Sequence, residues 1–249
     1  MAKQLSFLVS FHKVKYALLD VNSKDVLEQG EFALKERTES ENKDELKKWL
    51  GEKNLLNFSE EVTLSFIGKN STLVPQNIIG ETTNAAIYEL SFGKTMNDLD
   101  YNRFPEMGLV NIYEIPSWVK SFFVVRYPSI IMQHEGTHLL RGIFKGTTFK
   151  PLVHLSIDEE VFFLVVTDQN KLEFFNSFDF KNMDDIIYHT LFVLDQKGLN
   201  PKELKISWSE NHEKSALYDD FKLALEKIKP EISMSYKAFE SFKNQSFCV

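Results

Sequence analysis

Apolar residues alternate with polar ones from Leu5 through Phe7 to Val9, and alternation resumes at Val14, Tyr16 and Leu18 after the turn Ser10-Phe11-His12-Lys13. A side-chain period of two is that of a strand with one buried face. A second turn, Asp20-Val21-Asn22-Ser23-Lys24, leads to a third run ending at Phe32. The same order returns without a gap at a shift of 148 residues: Val153, Leu155 and Ile157, then Phe162, Leu164 and Val166, with Asp168 at Asp20, Asn170 at Asn22 and Phe180 at Phe32. Each copy predicts three antiparallel strands joined by tight turns.

The likeness continues downstream. Asn42 with Glu45, and Asn182 with Asp185, are expected to start a helix. The buried stripes expected are Leu46, Trp49 and Leu50 in one copy and Ile187, Leu191 and Leu194 in the other. A strand follows each helix, Glu61–Phe66 aligned with Glu203–Trp208. The order strand-strand-strand-helix-strand therefore occurs twice, and an internal repeat constrains a fold strongly.

The first half carries more. Ser71 to Pro75 reads as a short strand, and Gly108 to Ile115 as a good one stopped by Pro116. Ser117 to Arg126 reads as a helix ended by Tyr127-Pro128, and 130–145 as another. Residues 145–151, KGTTFKP, are the expected joint, giving an N-terminal lobe over 1–148 and a C-terminal lobe over 149–249. The second half closes with a helix near Ala216 to Ile228, a strand near Ile232 to Tyr236 and a short tail. Residues 82–107 follow no clear period.

Composition narrows the function classes. The chain has 249 residues, 43% of them hydrophobic, enough for one large or two small cores. Its net charge of −7 comes with no Lys/Arg-rich block, which argues against nucleic acid as a partner. The single cysteine, Cys248, excludes an intramolecular disulfide and a cysteine zinc site and points to a reducing compartment. Neither a signal peptide nor a bilayer-spanning stretch is apparent, so a cytoplasmic protein is expected.

Two units of three strands, helix and strand resemble the duplicated ribonuclease-H-like lobes of the actin-like ATPase superfamily. The stretches TLVPQNIIG, VNIYEIP and MQHEGTHLL resemble those of a bacterial domain-of-unknown-function family with that fold, along nearly the whole chain. The resemblance implies an α/β protein of two such lobes. In the superfamily the first hairpin turn of each half binds phosphate through an Asp-x-Gly pattern, because glycine lets backbone N–H groups approach closely. The corresponding turns here are Ser10-Phe11-His12-Lys13 and Asp158-Glu159-Glu160-Val161. Neither has a glycine. Only Asp158 fits the pattern, and Glu159 and Glu160 add charge hostile to phosphate. The expectation is a lost nucleotide site and no bound cofactor.

One motif pulls the other way. His134-Glu135-Gly136-Thr137-His138 is an H-E-x-x-H string, which on a helix grips zinc with two histidines while the glutamate serves as general base. On a helix over 130–145, however, both histidines share a side with Arg141 and Lys145, opposite Met132, Leu139, Leu140 and Ile143. Fixed cations oppose a metal, and Gly136 weakens a helix interior. Glu159 or Glu160 are third ligands in name only. The string is read as two ordinary histidines on a partly exposed helix. The sequence thus predicts a non-catalytic actin-like protein working through an unknown protein partner or self-association. Its rivals are a zinc hydrolase using His134, Glu135 and His138, and an ATPase with an atypical site near Asp158.

Overall fold

The computed structural model describes residues 2–35, 38–146, 149–213 and 215–247. Cys248 and two residues of the expected joint, Thr147 and Thr148, lie outside the described residues. In chain order the elements are β1 (Lys3–Val9), β2 (Lys13–Asp20), β3 (Val26–Ala33), α1 (Glu39–Glu52), β4 (Glu61–Phe66), β5 (Ser71–Pro75), α2 (Asn84–Phe92), β6 (Asp98–Phe104), β7 (Leu109–Ile115), α3 (Ser117–Arg126), β8 (Ile131–His134) and α4 (Glu135–Lys145). There follow β9 (Leu152–Asp158), β10 (Val161–Asp168), β11 (Lys171–Asp179), α5 (Met183–Gln196), β12 (Lys205–Glu210), α6 (Ala216–Ile228), β13 (Ser233–Ala238) and α7 (Glu240–Gln245).

Two five-stranded sheets have the same plan, β3-β2-β1-β4-β8 and β11-β10-β9-β12-β13. In each, an antiparallel three-stranded set is extended by two parallel strands. The duplication therefore runs past the five elements seen in the sequence, to a second helix and a fifth strand. The first hairpins superimpose residue for residue at the shift of 148: Leu5 faces Leu18 as Val153 faces Val166. Beyond them the ungapped match slips by two. Phe32 pairs with Val14, but Phe178, not Phe180, pairs with Phe162. Leu5 pairs with Val62 while Val153 pairs with Ile206, so Leu64 and not Phe66 corresponds to Trp208. Loop and bulge lengths drift without disturbing a period-two pattern, so a shift by two keeps every side chain on its face.

Two compact units result: Met1–Arg141 together with Phe242–Val249, and Gly142–Ser241. The sequence places a single boundary after residue 148; the chain instead crosses within α4 and returns within α7. In the first unit Phe7 meets Phe123 at 5.0 Å and Tyr127 at 5.6 Å between ring centres, over Leu46 and Leu50 of α1. In the second, Trp208 lies 4.8 Å from Phe221. The start of α1 differs from expectation. Thr38 is its N-cap in a reciprocal capping box with Glu41, whereas Asn42 bonds back to the Lys35 backbone. Asn182 caps α5 as expected, accepting from the Asp184 and Asp185 amides.

The unplaced stretch 82–107 contains α2 and β6. Strand β6 joins β5 and β7 in a three-stranded sheet, order β5-β7-β6, inserted between β4 and α3. Helix α2 buries only Tyr88, so its sequence has no apolar stripe to detect. The expected helix over 130–145 is a strand followed by a helix. Pro128 and the pairing of Ile131–His134 with β4 end the helical register before Glu135.

Candidate functional site

The β1–β2 turn closes tightly, with the Ser10 amide donating to the Lys13 carbonyl at 2.9 Å. The Ser10 hydroxyl oxygen then accepts from two successive amides, those of His12 at 3.2 Å and Lys13 at 3.1 Å. A phosphate-binding turn works by leaving such amides to converge on an oxygen of the ligand. Here the turn supplies that oxygen itself. Phe11 occupies the tip, its ring edge-on to Phe66 at 5.6 Å.

The β9–β10 turn is equally tight, with Asp158 paired to Val161. Glu159 has φ of +49°, the left-handed region that glycine occupies without strain. The turn carries Asp158, Glu159 and Glu160 in succession. Three carboxylates within one turn repel a polyphosphate. The residues predicted from sequence at the two turns are thus placed at two-residue hairpin tips.

His134 is the last residue of β8 and Glu135 the first of α4, so the two histidines of the H-E-x-x-H string do not share a helix. Gly136 consequently sits in the first helical turn, not mid-helix. Both histidines are buried, which corrects the expected partial exposure. The His134 ring is fully engaged: Nε2–H donates to the Gly68 carbonyl at 2.8 Å, and Nδ1 accepts from the Gly136 amide at 3.1 Å and the Asn111 side-chain amide at 3.2 Å. Those partners fix the neutral tautomer, and burial pushes the imidazole pKa down to about 4. The ring also lies 5.0 Å from that of Tyr113.

Around it, Asn102 of β6 accepts through Oδ1 from the His134 amide and the Thr137 hydroxyl, each at 2.9 Å. The Asn111 side-chain amide of β7 donates to Thr137 Oγ1 at 3.3 Å. The knot ties the inserted sheet to the β8–α4 corner. The sequence reading missed Asn102 and Asn111, although Asn111 is visible, with Glu114, as a polar residue within the apolar run of β7. Glu135 accepts from the Ser65 hydroxyl at 2.5 Å and opens α4, where its charge favours the helix dipole. His138 is different. Neither ring nitrogen has a hydrogen-bond partner among the described residues. Burial, reinforced by Arg141 and His134, pushes its pKa down to about 3. Arg141 is held by the Gln133 side chain at 3.1 Å, the Arg103 carbonyl at 3.0 Å and Glu106 at 3.9 Å. The His134 imidazole would ligate a metal only by giving up one of these bonds, and zinc catalysis needs three protein ligands.

Residues 1–225 match the model of a family described as "Protein of unknown function (DUF3822)". No curated protein matches the chain. Among solved structures, it is similar to a Bacteroides thetaiotaomicron VPI-5482 protein with actin-like ATPase fold and unknown function, at TM-score 0.78 and 17% identity, covering 94% of this chain and 90% of that one. It is also similar to a chain of the PilM–PilN type IV pilus biogenesis complex, at TM-score 0.58 and 11% identity with 98% of each chain covered. A third likeness is to the ethanolamine utilization protein EutJ from Carboxydothermus hydrogenoformans, at TM-score 0.56 and 7% identity, covering 99% of this chain and 90% of that one. The fold is the actin-like ATPase fold, as the duplicated sheets imply.

Proposed function

This chain belongs to the DUF3822 family, and we propose that it is an actin-like protein without nucleotide chemistry that acts through protein contacts. The observation that carries the reading is the Ser10 hydroxyl seated on the His12 and Lys13 amides. The carboxylates Asp158, Glu159 and Glu160 support it from the second hairpin. Protein contact is supported by apolar side chains left in solvent, Leu90 and Met96 on the inserted segment and Tyr188 and Phe192 on α5. The PilM–PilN structure, whose name is that of a complex, offers a parallel for an actin-like chain working in an assembly. No helix among the described residues is long and apolar enough to cross a membrane, and we place the protein in the cytoplasm.

Equilibrium dialysis against ATP–Mg²⁺ at concentrations up to about 1 mM, the upper range of enzyme KM values, tests the reading. No saturable binding is expected. Saturable binding with hydrolysis that Asp158→Ala abolishes would establish the ATPase alternative instead.

A further inference from the structure

At the far end of the first sheet from the Ser10 turn is a cavity of about 320 Å³. Strand β4 runs parallel to β1 and begins beside it, with Glu61 opposite Gln4, and ends with Phe66 opposite Val9, so the cavity and the hairpin tip occupy opposite ends of β4. The volume is at the small end of the roughly 300–1,000 Å³ typical of ligand pockets. Phe58, Val62, Tyr127 and Ile131 supply apolar walls, and Glu60, Glu61 and Arg126 supply charge, with the Glu60 carboxylate already accepting from the Lys3 amide at 2.7 Å. Arg126 Nη1 caps the Phe122 carbonyl at 2.9 Å and the guanidinium lies 3.7 Å above the Phe122 ring, so its plane is fixed. Its Nε and the Glu61 Oε1 are buried and have no hydrogen-bond partner among the described residues. Each polar group buried without a partner is costly, and a ligand that pairs with it removes that cost.

Among the described residues neither atom has a hydrogen-bonding counter-charge. Lys24 acts on Glu61 and Asp44 on Arg126 only through their charges. Burial raises the Glu61 pKa and lowers that of Arg126, so each charged form is penalised until a counter-charge arrives. An anion alone would leave Glu61 unmatched, and an amine alone would leave Arg126 unmatched. We propose that this cavity binds a small zwitterion with an apolar body, by chemical class a free α-amino acid, with its carboxylate on Arg126, its ammonium on Glu61 and its side chain against Phe58, Val62 and Ile131. The proposal does not rest on the absence of nucleotide chemistry.

Calorimetric titration of the full chain with leucine, phenylalanine and methionine, beside 3-methylbutylamine and 4-methylpentanoate, provides the test. At least one amino acid is expected to bind, with both single-charge analogues weaker by about tenfold or more, because each lacks a charge-assisted bond. Glu61→Gln and Arg126→Lys should each lower the amino-acid affinity by a similar factor. Arg126 also caps α3, so Ser129→Trp, an exposed position on the rim, serves as a second variant and should block binding with the fold unchanged. No heat from any amino acid at about 10 mM, weaker than the millimolar end of the affinity scale, would overturn the proposal. Equal binding of the amine or the carboxylate would overturn it too, as would unchanged binding in Ser129→Trp.

Discussion

His134 Nε2 stands 2.8 Å from the carbonyl oxygen of Gly68, a bond that commits one ring nitrogen of the most suggestive motif in the chain. A zinc-ligating histidine presents one ring nitrogen to the metal. Here one nitrogen donates to the loop after β4 and the other accepts from the first turn of α4 and from β7. The ring is a structural tie between the sheet of the first unit and its inserted sheet. His134→Ala should destabilise the protein by about 2–4 kcal/mol, combining a cavity with stranded partners at Gly68 and Asn111. Urea denaturation measures it, and zinc content should not change between the two proteins.

His138 should respond in the opposite direction. Its buried ring has no hydrogen-bond partner among the described residues, so an apolar residue of comparable size removes an unmet polar demand. His138→Leu is expected to be neutral or to stabilise by about 1 kcal/mol at pH 7. If the two histidines formed one catalytic pair, both substitutions would abolish the same activity and metal content.

Acid should weaken the fold earlier than carboxylate protonation alone would. His134 titrates at about 4, and His138 and the buried His154 at about 3, each held down first by burial. An unfolded histidine takes up its proton near pH 6.5. Between those values the unfolded chain binds more protons than the folded one, so stability rises with pH. The full contribution is present above about pH 6.5 and is lost as the pH falls toward the folded values. Each pKa unit of depression is worth about 1.4 kcal/mol, and the three rings act in the same direction. Thermal melts between pH 7 and 4 should show the fall, and His138→Leu should flatten it.

The parts of this fold that were legible in the sequence are those with a clean period. The pattern of β1, β2, β9 and β10 fixes which residues share a face, because a hairpin slip by one would turn Phe7 or Phe162 to the opposite face of its sheet. The limits of the repeat were not legible: a slip of two residues, as at Phe178 and Trp208, leaves the pattern intact. The H-E-x-x-H string failed as a helix because pairing with β4 captures residues 131–134, and a tertiary contact overrides local periodicity. Helix α2 and strand β6 were invisible because their burial comes from the small sheet they build together. Nothing local marked Asn102 as the acceptor for His134.

The tail offers a separate test. Gln245 is buried in the first unit, where Oε1 accepts from the Thr63 hydroxyl at 2.7 Å and Nε2 donates to the Phe7 carbonyl at 3.1 Å. Phe242 is buried beside it in sequence. Gln245→Ala should cost about 1–3 kcal/mol, since it removes two buried hydrogen bonds, one to β1 and one to β4. Chemical denaturation should show the loss, and Ser246→Ala, with a single part-buried bond to the Lys243 carbonyl, should cost less.

Glu159 closes the argument about the second hairpin. Its φ of +49° is costly for a residue with a Cβ, so Glu159→Gly should relieve strain of about 1 kcal/mol, offset in part by the greater freedom of glycine in the unfolded chain. The variant also removes one of three adjacent carboxylates and restores the small residue a phosphate turn requires. It should nonetheless acquire no affinity for ATP–Mg²⁺, because the Ser10 hydroxyl still holds the His12 and Lys13 amides of the other hairpin. Adding Ser10→Gly frees those amides. Dialysis of the single and double variants separates the two obstacles. Binding by Glu159→Gly alone would show that charge and strain at the second turn were the whole barrier, and that the occupied amides of the first were incidental.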